Sequence, residues 1–132
     1  MLLLDDDDIY RYTIVKNIEA LRSSKKILVF KNGNEALQFM LDNVETIDNL
    51  PDTILLDVNM PVKDGFEFME EYEKFKPETK SVIKVFMISS SINPADIIRA
   101  TTNPEICGYI SKPINAIKLQ RILSYQESTD ES

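Results

Sequence analysis

The sequence predicts an α/β fold, a doubly wound five-stranded parallel sheet between two helical layers, and three observations carry that reading. Short aliphatic runs alternate five times with segments of helical period, which is the signature of βα units whose crossovers cover both faces of one sheet. The 132 residues, 43% of them hydrophobic, supply enough apolar material for one core. The polar residues best suited to chemistry come directly after the aliphatic runs, where an open parallel sheet places its functional site, beyond the carboxyl ends of the strands.

The strands are expected at Leu2 to Leu4, Ile27 to Phe30, Thr53 to Leu56, Val82 to Ile88 and Ile106 to Ile110, each a compact aliphatic or β-branched run of the kind buried on both faces. The first helix is expected from about Ile9 to Arg22, with Ile14, Ile18 and Leu21 on one face. A second starts with Asn34 as cap and buries Leu37, Met40, Leu41 and Val44. A third follows Gly65, turning Phe66, Met69 and Tyr72 inward and Glu70, Glu71, Glu73 and Lys74 toward water. Pro94 suits the first turn of a fourth, capped by Asn93 or Ser91, with Ile97 and Ile98 inward. The fifth follows Pro113 and runs to about Tyr125, presenting Ile117, Leu119, Ile122 and Leu123. Residues 1–125 are expected to form one domain, and residues 126–132 a short, mobile acidic tail with no further output domain.

Composition narrows the function. Fifteen basic against 22 acidic residues give a net charge of −7, which disfavours nucleic acid and anionic membrane, since both reward an excess of Lys and Arg. Cys107 is the lone cysteine, so neither an internal disulfide nor a cysteine metal cluster can form; it is expected to fill core space in a reducing, cytoplasmic setting. No apolar run approaches the ~20 residues of a membrane span, and the MLLL start is too short for a signal sequence. Histidine is absent, which removes the usual general base, the usual zinc ligand and any Ser-His or Cys-His pair. Chemistry must therefore run on carboxylates, hydroxyls and lysines.

Asp5 to Asp8 follow the first strand, Asp57 to Asn59 the third, Ser89 to Ser91 the fourth and Lys112 the fifth. Carboxylates gathered at one sheet end repel one another unless a cation compensates, and an oxygen-only ligand set with room for water suits Mg²⁺ better than zinc. A carboxylate beside such an ion, a lysine and a hydroxyl is equipment for phosphoryl transfer to an aspartyl nucleophile: an ionised carboxylate needs no base, and the remaining groups neutralise the phosphoryl oxygens.

With these residues in order, the chain resembles the receiver domain of two-component response regulators over essentially its whole length. The motifs are LLLDDDD, matching the family's acidic pair at Asp5 and Asp6; ILLDVNMPVKDG, matching the phosphoacceptor at Asp57; VFMISSS, matching the strand-end hydroxyl at Ser89; and YISKPI, matching the lysine at Lys112. Asn59 matches the position whose backbone carbonyl completes the metal site, so the resemblance implies Mg²⁺ held by Asp5, Asp6, Asp57 and Asn59. Four consecutive aspartates leave the pair open between Asp5 with Asp6 and Asp6 with Asp7; the former is preferred because Arg11 then takes its usual offset. The resemblance further implies a flavodoxin-like strand order 2-1-3-4-5, phosphorylation of Asp57 from a sensor histidine kinase or histidine phosphotransfer protein, slow self-hydrolysis, and a cis bond before Pro113. It implies that Ser89 and Tyr109 move inward together and remodel the face of the fourth helix, fifth strand and fifth helix for a downstream protein partner.

Plainer readings stand beside these. An aspartate run before a helix often only compensates the helix dipole, Lys112 before proline would ordinarily be a surface lysine, and Tyr109 serves equally as core filler. Asp64 and Gly65 read as turn chemistry, with Asp64 a helix cap and Gly65 supplying flexibility. Ser91, two after Ser89, lacks a carboxamide or carboxylate, so unexceptional hydrolysis of the acyl phosphate is expected. A haloacid-dehalogenase-type phosphatase would need a second carboxylate where Asn59 stands, and a flavin module would need a phosphate loop where the four aspartates stand. The competing reading is a receiver fold that has lost phosphate exchange and acts only as a binding module.

Overall fold

Strand and helix alternate through the computed structural model, which describes residues 1–20, 27–43, 51–60, 63–75, 83–90 and 93–130. The elements are β1 (Leu2–Leu4), α1 (Asp8–Ala20), β2 (Leu28–Phe30), α2 (Gly33–Asp42), β3 (Thr53–Asp57), α3 (Gly65–Phe75), β4 (Lys84–Ser89), α4 (Pro94–Thr101), β5 (Ile106–Ser111) and α5 (Ala116–Asp130). All pairings are parallel, in the order β2-β1-β3-β4-β5, as expected. Leu21, Arg22, Val44, Val82 and Ser91 lie outside the described residues.

The period of two along the central strands divides the core into two halves. Leu2, Leu4, Ile54, Leu56, Val85 and Met87 face Leu37 and Met40 of α2, Phe66, Met69 and Tyr72 of α3, and Ala100 of α4. Leu3, Leu55, Phe86 and Ile88 face Ile14 and Ile18 of α1 and Leu119 and Ile122 of α5. Helices on both faces bury β1, β3 and all of β4 after Lys84, which is why their sequences read as apolar runs rather than as alternating ones.

Edge position and helix rotation account for the departures from expectation. β2, expected as a buried strand, lies at the sheet edge, with Val29 43% exposed. Helix α2 begins two residues earlier than expected: Asn32, not Asn34, caps it, its side-chain oxygen accepting from the Glu35 N–H at 2.9 Å. Leu41, Ile98 and Ile117, all expected inward, are 45%, 62% and 62% exposed, because each helix rests on the sheet along one narrow stripe and these residues fall beside it. In α4 the buried contact is the small Ala100, which brings that helix close to the sheet. The backbone of α5 stays helical to Asp130 rather than ending near Tyr125; after Pro113 the sequence holds no glycine or proline to stop it. Cys107 packs half-buried against the α1/α5 side of the core.

Candidate functional site

Parallel register brings the expected residues to one end of the sheet. Leu4 pairs with Phe30 on one side and Leu56 on the other, so the next residue of each central strand, Asp5 and Asp57, emerges at the same level. Asp5 is still tied to the sheet through its N–H, which donates to the Phe30 carbonyl at 3.2 Å. The Lys112 N–H donates to the Ser89 carbonyl at 2.8 Å, anchoring the residue after β5 to the end of β4. Asp5, Asp57 and Ser89 are buried, whereas Asp6 and Asn59 are exposed, so the site has a covered floor and an open mouth.

Charge is concentrated on that floor. Asp5, Asp6 and Asp57 each offer a carboxylate oxygen within 4.8 Å of the others. Lys112 Nζ stands 3.0 Å from Asp5 Oδ2 and 3.5 Å from Asp57 Oδ2. Asp5 Oδ2 is buried, and the Lys112 ammonium is the positive group that faces it. Asp57 Oδ1 accepts from the Asn59 N–H at 3.2 Å, and the Asn59 amide donates to Ser89 Oγ at 3.1 Å. Burial first, and the neighbouring Asp5 charge second, push the Asp57 carboxyl up to about 7 against the pull of Lys112 and the Asn59 N–H. For Lys112, burial lowers the pKa, but contact with Asp5 and the charge of Asp57 outweigh it and the net shift is upward. One half-buried ammonium thus faces more negative charge than it can neutralise.

That excess is the physical test for a resident divalent cation, and the residues fit one. An ion with ligands at 2.0–2.1 Å holds them at most about 4.2 Å apart, so oxygens already within 4.8 Å need only a small closure. The donor set is carboxylate oxygen, the hard ligand chemistry that a small divalent cation takes.

Local sequence explains the framing. Asp7 stands just before α1, its Oδ1 accepting from the Tyr10 N–H at 3.0 Å, while Arg11 donates to the Asp5 carbonyl at 2.6 Å and pairs with Asp8. Asp7 and Asp8 therefore serve the helix, and Asp5 and Asp6 face Asp57. Asp64 and Glu67 form a reciprocal capping box at α3, with bonds of 2.9 and 3.0 Å. Gly65 is needed for proximity rather than flexibility: a Cβ there would stand 2.7 Å from the Asp57 carbonyl oxygen, and its own N–H donates to the Val58 carbonyl at 3.0 Å. Tyr109 is half-buried on β5 and packs against the half of the core that includes Ala100 of α4.

One participant was not legible in the sequence. The Tyr10 ring centroid lies 4.3 Å from Lys112 Nζ, and its hydroxyl accepts from the Ile114 N–H at 2.7 Å. These partners are about a hundred residues away along the chain, and a tyrosine in a first helical turn carries no local mark of them. A cavity of about 370 Å³ between β5 and α5, lined by Phe86, Tyr109, Lys118 and Arg121 among others, does not include the acidic cluster.

Comparison with known proteins agrees with this arrangement. The chain is 26% identical over 121 residues to the probable methanogenesis regulatory protein FilR2 of Methanothrix harundinacea, covering 92% of this chain and 76% of that one. It is 26% identical over 129 residues to response regulator Rcp1 of Synechocystis, covering 97% and 86%. The crystal structure of the Mn(2+)-bound form of response regulator Rcp1 matches with a TM-score of 0.68 over 96% of this chain and 90% of its own. A two-component response regulator from Cytophaga hutchinsonii matches with a TM-score of 0.84 at 28% identity, over 94% and 92%. The family model for the response regulator receiver domain matches residues 1–124, and with the strand order and the acidic sheet end it establishes that the chain belongs to the response regulator receiver family.

Proposed function

We propose that the protein is a phospho-switch that accepts a phosphoryl group on Asp57 in a Mg²⁺-dependent reaction and thereby changes a partner-binding surface. The observation that carries this reading is the Lys112 ammonium lodged between Asp5 and Asp57 at the buried end of β3. Aspartyl phosphorylation and magnesium binding are features of the family, and receiver domains interact with histidine kinases or phosphotransfer proteins.

In this reading the Asp57 carboxylate, the form that Lys112 and a bound cation would favour over the protonated one, attacks phosphorus; a P–O bond forms as the donor's P–N bond breaks, and that electron pair leaves with the donor imidazole. Asp5, Asp6, Asp57 and the Asn59 carbonyl would hold Mg²⁺, which when bound supplies positive charge for the phosphoryl oxygens. Lys112 pairs with a second phosphoryl oxygen, and Ser89, steadied by the Asn59 amide, reaches a third. Water later cleaves the acyl phosphate. Tyr109 lies on β5 between the site and the surface of α4 and α5, so its inward movement with Ser89 would carry the change to a downstream protein partner. A cytoplasmic location belongs to this reading and is in keeping with the lone cysteine; among the described residues no helix is long and apolar enough to cross a membrane.

Incubation with acetyl phosphate and Mg²⁺, followed by intact mass measurement, tests the proposal. We expect a gain of one phosphoryl group that requires the metal and disappears in Asp57→Asn. An unphosphorylated wild type would instead favour a receiver fold that only binds partners.

A further inference from the structure

Lys112 has three faces to account for. Two are taken by carboxylates: Asp5 Oδ2 at 3.0 Å and Asp57 Oδ2 at 3.5 Å. The third is covered by Tyr10, whose ring centroid lies 4.3 Å from Nζ, and the lysine side chain is left only 14% exposed. The tyrosine is itself fixed at both ends. Its backbone N–H donates to Asp7 Oδ1 at the start of α1, and its hydroxyl accepts from the Ile114 N–H, two residues past Lys112, at 2.7 Å. Tyr10 thus ties the helix that comes after the acidic pair to the loop that presents the lysine.

We infer that Tyr10 is a positioning residue for phosphoryl transfer, an aromatic wall that keeps the Lys112 ammonium against Asp57. The inference rests on the reading of Asp57 as phosphoacceptor. A lysine has a long, flexible stem and could snorkel out to solvent, where it would serve no phosphoryl oxygen. An aromatic face attracts the ammonium without offering it an acceptor, so its N–H groups remain directed at oxygens. The ring also excludes water from one side of the charge, which strengthens its pull on the phosphoryl group. Because the wall is attached to Ile114 by a hydrogen bond, it moves with the lysine's own loop.

The test separates positioning from mere packing. In the unphosphorylated wild type, the Lys112 Hε protons should show an upfield ring-current displacement that persists in Tyr10→Phe and vanishes in Tyr10→Leu. Its absence in the wild type overturns the inference without any variant being needed. With acetyl phosphate, Tyr10→Leu should be phosphorylated about fivefold to tenfold more slowly, and Tyr10→Phe should recover most of that loss, in keeping with the usual strength of a partly desolvated cation–π contact. In a Lys112→Ala background, Tyr10→Leu should cost nothing further; an equal loss there would mean that Tyr10 acts through folding, and would overturn the inference. Wild type that takes no phosphoryl group refutes the phosphoacceptor reading instead, whereas phosphorylation of wild type and Tyr10→Leu at equal rates refutes the role of Tyr10 alone.

Discussion

Asp57 illustrates how a single residue can be costly to the fold and indispensable to the site. Its carboxyl titrates near 7 in the folded protein against 3.8 ordinarily, because burial and Asp5 disfavour its charge more than Lys112 favours it. Between those values the folded state holds a proton that the unfolded chain has released, so stability falls as pH rises. The contribution is fully present below about pH 4 and is lost by the time pH has passed through about 7. Asp57→Asn removes this penalty, and metal-free protein carrying it should be about 1–3 kcal/mol more stable than wild type at pH 8 by urea denaturation, with the gap closing toward pH 4. A gap of the same size at both pH values would show that the carboxylate is not the cause. Asp5, Asp6, Asp57, Ser89 and Lys112 were all legible as residues, because each stands at or just beyond the end of an aliphatic run. Tyr10 was not, since its meaning lies wholly in groups distant in sequence.

At the scale of elements, the loop from β3 to α3 shows how closely backbone geometry guards the site. The carbonyl of Asp57 and the Cα of Val58 lie 2.7 and 3.0 Å from where a Gly65 Cβ would sit, and both belong to backbone that cannot swing aside as a side chain could. Gly65→Ala should therefore push α3 away from the strand end and destabilise the protein by about 1–3 kcal/mol. Asp64→Ala, which removes only one half of the capping box, should cost about 1 kcal/mol. Chemical denaturation of the two variants orders them; a harmless Gly65→Ala would mean that the close approach is not maintained in solution. Sequence located this glycine but assigned it the wrong reason: a turn glycine and a close-approach glycine look alike until the neighbouring strand is in place. The same limit applies to Leu41, Ile98 and Ile117, because helical period identifies a stripe but not the angle at which the helix is laid on the sheet.

For the whole molecule, the acidic sheet end couples metal binding to stability. The fold brings Asp57 to Asp5 and Asp6, from which the unfolded chain keeps it far apart, so a cation binding all three stabilises the native state. Mg²⁺ at about ten times its dissociation constant should contribute about 1.4 kcal/mol, a rise of roughly 3–5 °C in Tm for a domain of this size, reversed by a chelator. Asp6→Asn, an exposed change with little structural cost of its own, should lose more than half of that rise in a thermal melt. An undiminished shift would place the ion elsewhere.

The sequence by itself determined the alternation of strands and helices, the parallel sheet with its covered faces, and the set of polar residues at the strand ends. Those are local properties: helical period, aliphatic runs and the polar residues adjoining them can be read a few positions at a time. Tertiary structure alone decided which aspartates face Asp57, which leucines and isoleucines reach the core, why residue 65 is glycine, and that Tyr10 covers Lys112. Each depends on how separate elements are set against one another by strand register and helix rotation, and even Gly65, eight residues after Asp57, shows its reason only once α3 is laid beside the end of β3.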